Sequence, residues 1–174
     1  MSAIQKELLP KFSEEFNQSS IISKKNPYDE KYRKSFSKFL SAKSIPETTV
    51  ITKYLVSKTV GEFCLIELPD VQLLKYFENN YYHWHDDGAN KNELDKVRIM
   101  TMSINLNDDY SGGGLELDYK GEIFSQEKVP GAYCIFPSFC RHRALTVTEG
   151  VRKAATFWFL GTEENLKLLT NAYK

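Results

Sequence analysis

From Thr48 to Leu160 the chain reads as one short strand candidate after another, broken at close intervals by turn residues, and few folds accept that pattern. The runs are Thr48–Ser57, Phe63–Glu67, Leu73–Phe77, Tyr81–His85, Arg98–Asn107, Leu115–Leu117, Glu122–Phe124, Ala132–Phe136, His142–Val147 and Arg152–Leu160. Between them lie Glu78-Asn79-Asn80, Asn107-Asp108-Asp109, Gly112-Gly113-Gly114, Pro130-Gly131 and Glu149-Gly150. Gly, Asn, Asp and Pro there supply the backbone conformations that chain reversals need. About ten such strands predict a double-sheet sandwich or jelly roll rather than a parallel sheet. The glycine triplet resembles no phosphate cradle, because no helix or lysine follows it, and is expected to be a tight turn.

The flanks read differently. Residues 1–45 are expected to be helical: Asn26 suits an N-cap, Pro27 the first helical position, and Asp29 and Glu30 the first turn. Tyr28, Tyr32, Phe36, Phe39 and Leu40 then recur at helical spacing as one apolar stripe. Residues 161–174 read as a closing helix capped by Thr162, with Leu166, Leu169 and Tyr173 on one face. The 174 residues make one domain: helical support over 1–45, a mainly β core over 46–160 and the C-terminal helix.

Charge narrows the partners. Formal net charge is zero, which gives no global electrostatic case for nucleic acid or an anionic membrane. The basic stretch from Ser23 to Lys43 reads as the solvated face of a helix. No apolar run approaches the ~20 residues needed to span a bilayer. The N-terminal residues lack the pattern of a secretory signal. Cys64, Cys134 and Cys140 are an odd count without close pairing, so no disulfide framework is expected. A reducing cytoplasm is the expected compartment.

Chemistry concentrates in few places. Of only three histidines, two lie in Tyr81-Tyr82-His83-Trp84-His85-Asp86-Asp87, and the third, His142, comes 55 residues after Asp87. Alternation along a strand puts His85 and Asp87 on one face, about 7 Å apart, with His83 on that face too and Asp86 opposite. A second imidazole from a facing strand would complete a 2-His-1-carboxylate set, which leaves coordination positions open as non-heme Fe(II) oxygenases require. On spacing alone, satisfied core histidines explain these residues equally well. Arg152 opens the last strand, sharing a face with Ala154, Thr156 and Trp158. Guanidinium fork and hydroxyl together would receive a carboxylate, although a surface salt bridge, with Glu149 for instance, is the alternative.

Several stretches in order resemble a known family. They are Lys75-Tyr76 and Tyr82 to Asp87; Arg98 to Asn107; Gly112 to Leu117; then Pro130-Gly131, Phe136-Pro137-Ser138, His142, Val147-Thr148, Gly150 and Arg152. From about Leu73 to Leu160 the chain resembles the catalytic core of the Fe(II)/2-oxoglutarate dioxygenase superfamily. The likeness is to its prolyl 4-hydroxylase branch, including the compact bacterial and phage hydroxylases of the PKHD type. The resemblance implies a double-stranded β-helix (jelly-roll) core. It makes His85, Asp87 and His142 the iron ligands and Arg152 the anchor of the 2-oxoglutarate C5 carboxylate, with Thr156 beside it. It places Tyr76 in the co-substrate pocket and Trp158 near the iron. Asn105 stands where many relatives carry a tyrosine that helps bind the same carboxylate, and Thr146 where many have proline. The implied cofactors are Fe(II), 2-oxoglutarate and O2, with ascorbate as an auxiliary.

The implied reaction is hydroxylation of a C–H bond with release of succinate and CO2, on a peptidyl proline. The same chemistry on a free amino acid or other small molecule, and a cupin-like metal-binding protein without turnover, are the alternatives. Oligomeric state stays open. The polar loop from Gly88 to Glu93 is expected to border the entrance.

Overall fold

The computed structural model describes residues 2–19, 29–60, 67–68, 70–88 and 96–172. Its strands are β1 Asn17–Gln18, β2 Arg33–Lys34, β3 Phe36–Ser41, β4 Asp70–Tyr76, β5 Tyr81–His85, β6 Val97–Asn105, β7 Tyr110–Gly112, β8 Leu115–Tyr119, β9 Glu122–Ser125, β10 Tyr133–Pro137, β11 Arg141–Ala144, β12 Val147–Gly150 and β13 Arg152–Gly161. The helices are α1 Ala3–Leu8, α2 Pro46–Val60 and α3 Glu163–Ala172. Pairing is antiparallel throughout. A major sheet runs β1-β3-β4-β13-β6-β10, a minor sheet runs β2-β5-β11-β8-β9, and β12 pairs with β7 in a ribbon. This is the expected jelly roll, mostly β.

The major sheet has two unlike faces. Val71 and Leu73 of β4, Met100, Met102 and Ile104 of β6, and Ala155, Phe157 and Phe159 of β13 point to one side. There they form the main core with Ile4 and Leu8 of α1 and Val56 of α2. The alternate residues, Gln72 and Tyr76, Thr101 and Ser103, and Arg152, Thr156 and Trp158, line a cavity between the sheets. Strand periodicity thus divides packing from chemistry residue by residue.

Two stretches depart from the sequence expectation. Thr48–Ser57 is part of helix α2, although its β-branched run favours a strand. Buried Thr48, Thr52 and Val56 fall four residues apart, and that spacing makes one helix face. The Thr52 hydroxyl donates to Thr48 O at 2.9 Å, and Glu7 of α1 accepts the Thr48 N–H at 2.7 Å near the helix start. The second departure is in residues 1–45, where only α1 and short 3-10 turns at Leu9–Ser13 and Ala42–Ser44 are helical among the described residues. Phe36–Ser41 is strand β3, pairing with β4 from Phe36 opposite Lys75 to Ser41 opposite Asp70. The aromatic stripe is therefore broken: Leu40 enters the core while Phe39 stacks on Trp158 at the cavity. Asn26, Pro27 and Tyr28 lie outside the described residues, as do the expected strand from Phe63 except Glu67, the loop from residue 89 to Glu93, and Tyr173.

The ends and turns follow local rules. A Ser2–Gln5 capping box starts α1, and Thr162 caps α3, which lays Leu166 and Leu169 on the core. Gly112 has φ +67°, and a Cβ there would lie 2.4 Å from Thr146 O, so only glycine fits where β7 turns into β8. No helix among the described residues is long and apolar enough to cross a membrane.

Because Phe157 is fully buried on the helix side, Phe157→Ala should cost about 3–5 kcal/mol in denaturant unfolding. Thr156→Ala, one residue along on the cavity side, should cost under about 1 kcal/mol.

Candidate active site

Strands β5 and β11 of the minor sheet are neighbours, and His85 stands directly opposite His142. Asp87 follows β5 by two residues. The three side chains converge: their ligand atoms lie within 4.8 Å of one another, the imidazole centroids of His85 and His142 are 4.2 Å apart, and His142 Nε2 is 3.7 Å from Asp87 Oδ2. Among the described residues no other group of three His, Cys, Asp or Glu side chains could hold a metal ion.

Both imidazoles are oriented by backbone carbonyls. His85 Nδ1 lies 2.7 Å from His83 O and His142 Nδ1 lies 2.9 Å from Cys140 O. A carbonyl only accepts, so each Nδ1 carries a proton, and each Nε2 is the nitrogen left out of that bond. Burial, helped by neighbouring His142, pushes His85 down to about 3, so its ring is neutral and able to bind a metal. Burial alone would raise Asp87. His142, a 2.6 Å hydrogen bond from the Thr101 hydroxyl, and His85 outweigh it and hold the carboxyl below its ordinary value. The Trp158 indole acts in the same direction, although its N–H forms no hydrogen bond of proper geometry. Two imidazoles oriented by backbone carbonyls and one carboxylate, with one side open to a cavity of about 190 Å3, fit a divalent ion of the Fe(II) kind.

Simple alternation does not hold at His83 and Asp86. Between β5 and β11 the register moves from His142 opposite His85 to Ala144 opposite Tyr82, which leaves an extra residue on β5. This bulge puts Tyr82 and His85 on the cavity side together, ring on ring at 3.5 Å, and turns His83 out to solvent. Arg33 of β2 covers the other face of Tyr82 at 4.4 Å. Asp86 is exposed and borders the cavity, so it does not face away as alternation implies.

Arg152 lines the same cavity from β13. It is 2% exposed, its Nε has no hydrogen-bond partner, and no carboxylate pairs with it among the described residues. Its guanidinium sits 5.3 Å from the ring centre of buried Tyr76, and Thr156 lines the cavity two pleats along. Burying a cation costs several kcal/mol unless an anion meets it. Asn105 is not brought to this place. Its Nδ2 donates to Asn107 O and Lys128 O, both at 2.6 Å, and its Oδ1 accepts from the Tyr110 hydroxyl at 2.9 Å. Its side chain braces loops beyond the cavity.

Sequence reasoning gave no site role to Thr101, Arg98 or Arg33. Arg98 lies 3.9 Å over the Trp158 ring and donates to Asp87 O at 3.1 Å. A signal for Thr101 was available: Thr101, Ser103 and Asn105 alternate with apolar Met102 and Ile104, a polar face that needs polar neighbours. None existed for Arg33, whose position depends on β2 pairing with β5.

The fold and the donor set agree with the chain's relatives. Residues 71–160, about half of the chain and all of the cavity lining except Arg33 and Phe39, match the 2OG-Fe(II) oxygenase superfamily profile, and the chain belongs to that superfamily. Within it, the chain is 35% identical over 96 residues to a PKHD-type hydroxylase of Xylella fastidiosa, covering 48% of this chain and 41% of that one. It is 39% identical over 83 residues to one from Thermosynechococcus vestitus, covering 44% and 36%. The chain thus spans about two fifths of the length of the curated relatives it matches. Solved structures of similar fold include a prolyl hydroxylase from Trichoplax adhaerens in complex with a hypoxia inducible factor peptide fragment, at TM-score 0.73 and 19% identity over 95% of this chain and 79% of that one. A Pseudomonas putida prolyl-4-hydroxylase follows at TM-score 0.70 and 18%, covering 91% and 88%. The viral collagen prolyl hydroxylase of Paramecium bursaria Chlorella virus-1, solved with 2OG, gives 0.67 and 20%, covering 93% and 92%.

Substituting His142→Ala removes one of three donors, and Fe(II) or Co(II) binding measured by calorimetry should be lost. Between pH 6.5 and about 3 an unfolded His85 takes up a proton that the folded, metal-free site refuses. Metal-free protein should therefore lose stability as pH falls through that window, and His85→Gln should flatten the loss.

Proposed function

We propose that this chain binds Fe(II) at His85, Asp87 and His142, binds 2-oxoglutarate with its C5 carboxylate on Arg152, and hydroxylates a C–H bond with release of succinate and CO2. One observation carries the proposal: a buried guanidinium with an unpartnered Nε stands in the same cavity as a vacant-sided 2-His-1-carboxylate set. A dicarboxylate answers both needs, because one end neutralises Arg152 while the 2-oxo acid end reaches the metal. Thr156 adds a hydroxyl on the same face of β13, and the Tyr76 ring walls the guanidinium in. The bound metal supplies the activation of O2 that side chains lack. The protein's share is to orient the ligands, hold the co-substrate and keep water out.

The substrate we infer is a prolyl residue of a peptide. A cavity of about 190 Å3 is below the roughly 300–1,000 Å3 of sites that enclose a whole drug-sized ligand. It suits the co-substrate plus one inserted side chain, the rest of the substrate lying outside. Leu74, Tyr82, Leu115 and Phe136 give it apolar walls, which suit a prolyl side chain. The relatives named as PKHD-type and prolyl hydroxylases support this choice.

Succinate formation that requires both Fe(II) and 2-oxoglutarate tests the class, and proline-containing peptides compared with free amino acids test the substrate. Absence of both succinate and an anaerobic Fe(II)–2-oxoglutarate absorption band would refute the proposal. Arg152→Ala should raise the KM for 2-oxoglutarate about 100-fold, since charged hydrogen bonds contribute about 1.5–3 kcal/mol each, while metal affinity without co-substrate changes little.

A further inference from the structure

Two hydroxyls beside Asp87 are almost completely buried: Thr101 at 1% exposure and Ser138 at 1%. Thr101 Oγ1 lies 2.6 Å from Asp87 Oδ2 and 3.1 Å from Ser138 Oγ. Distances leave the direction of the second bond open, but counting protons does not. A hydroxyl has one proton, and a carboxylate only accepts. The Thr101 proton is therefore committed to Asp87, so Ser138 donates to Thr101. Both dipoles then point at the Asp87 charge, and a chain of aligned hydroxyls strengthens its terminal bond.

The main chain holds the same three elements together. Asp87 N–H donates to Ser138 O at 2.9 Å, and Ser138 N–H donates to Ile99 O on β6 at 3.0 Å. Arg98 of β6 donates to Asp87 O at 3.1 Å. Asp87 follows the end of its strand, where no ladder constrains it, and these bonds replace the ladder. The turn carrying Ser138 leads into β11 and ligand His142. One network therefore fixes two ligands that come from distant parts of the chain.

We propose that Thr101 is a positioning residue of the metal centre, with Ser138 as its support, and that the pair sets the plane in which the Asp87 carboxylate meets the ion. This role presupposes the metal site proposed above. Its mark is coupling: the Ser138 side chain reaches Asp87 only through the Thr101 hydroxyl, whereas its main-chain bond to Asp87 is untouched by side-chain substitution.

Metal titration without co-substrate tests it, using Co(II) followed by its d–d absorption, with the melting temperature of chelator-treated protein recorded for every variant. Thr101→Val, nearly the same shape, should weaken Co(II) binding about 10–100-fold, the usual effect of removing a partner of a ligand. Thr101→Ser should restore most of the loss. Ser138→Ala should weaken binding less, and should have no further effect in the Thr101→Val background. Co(II) binding by folded Thr101→Val equal to wild type would overturn the proposal, as would additive losses in the double variant. Should Thr101→Val fail to fold, Ser138→Ala against Thr101→Ser decides: unchanged affinity in Ser138→Ala counts against the role. Wild-type protein that binds neither Co(II) nor Fe(II) would sink the metal site itself, a result distinct from a metal-binding wild type with silent variants.

Discussion

The structure depends on strand β13 being used on both sides at once. Ala155, Phe157 and Phe159 anchor the helices, while Arg152, Thr156 and Trp158, the residues between, face the cavity. The strand sits in the middle of the major sheet, bonded to β4 on one edge and β6 on the other, so neither set can shift without the other. A slip of one residue would put Phe157 beside the metal ligands and Arg152 in the apolar core. The cost of a buried cation in a hydrocarbon core makes that register inaccessible, so the strand's chemistry helps to enforce its packing.

The price of the site is a polar interior. Asp87, His142 and Arg152 are nearly inaccessible to water; the Asp87 carboxylate accepts from Thr101, whereas no carboxylate pairs with Arg152 among the described residues. Packing on the helix side of the major sheet must offset that loss, and the fully buried Phe157, Phe159, Met100 and Met102 are the means. The N-terminal segment adds to this. Helix α1 reaches α2 through Glu7, and β2 brings Arg33 over Tyr82, which in turn lies flat against His85. Residues outside the matched 71–160 stretch thereby wall the metal site.

How legible all this was in the sequence follows from the range of the interactions. The central strands and the two-faced pattern of β13 were readable because period-two alternation carries them, whereas the convergence of His85, Asp87 and His142 followed from the family resemblance, since spacing alone left core histidines an equal reading. Thr48–Ser57 misled because β-branched residues favour strands, while burial at four-residue intervals and the contact with α1 made a helix. Phe36–Ser41 misled in the opposite direction: its aromatic spacing suits a helix, and pairing with β4 decided the matter. His83 was misplaced by a bulge that only the register with β11 creates. Asn105 was placed by likeness to tyrosine-bearing relatives, yet a short amide on that strand finds closer partners in Asn107, Lys128 and Tyr110.

The ligands also explain why a jelly roll suits this chemistry. His85 and His142 face each other across one strand pair of the minor sheet, whereas Arg152 approaches from the major sheet. A metal ion alone would need only the minor sheet and the bonds around Asp87. The co-substrate placement proposed above, from the metal to Arg152, would need both sheets at a fixed separation. The core on the far face of β13 sets that separation, since it keeps the major sheet from yielding towards the cavity. Helix packing thus acts on the chemistry by fixing the distance between two charges that never touch each other.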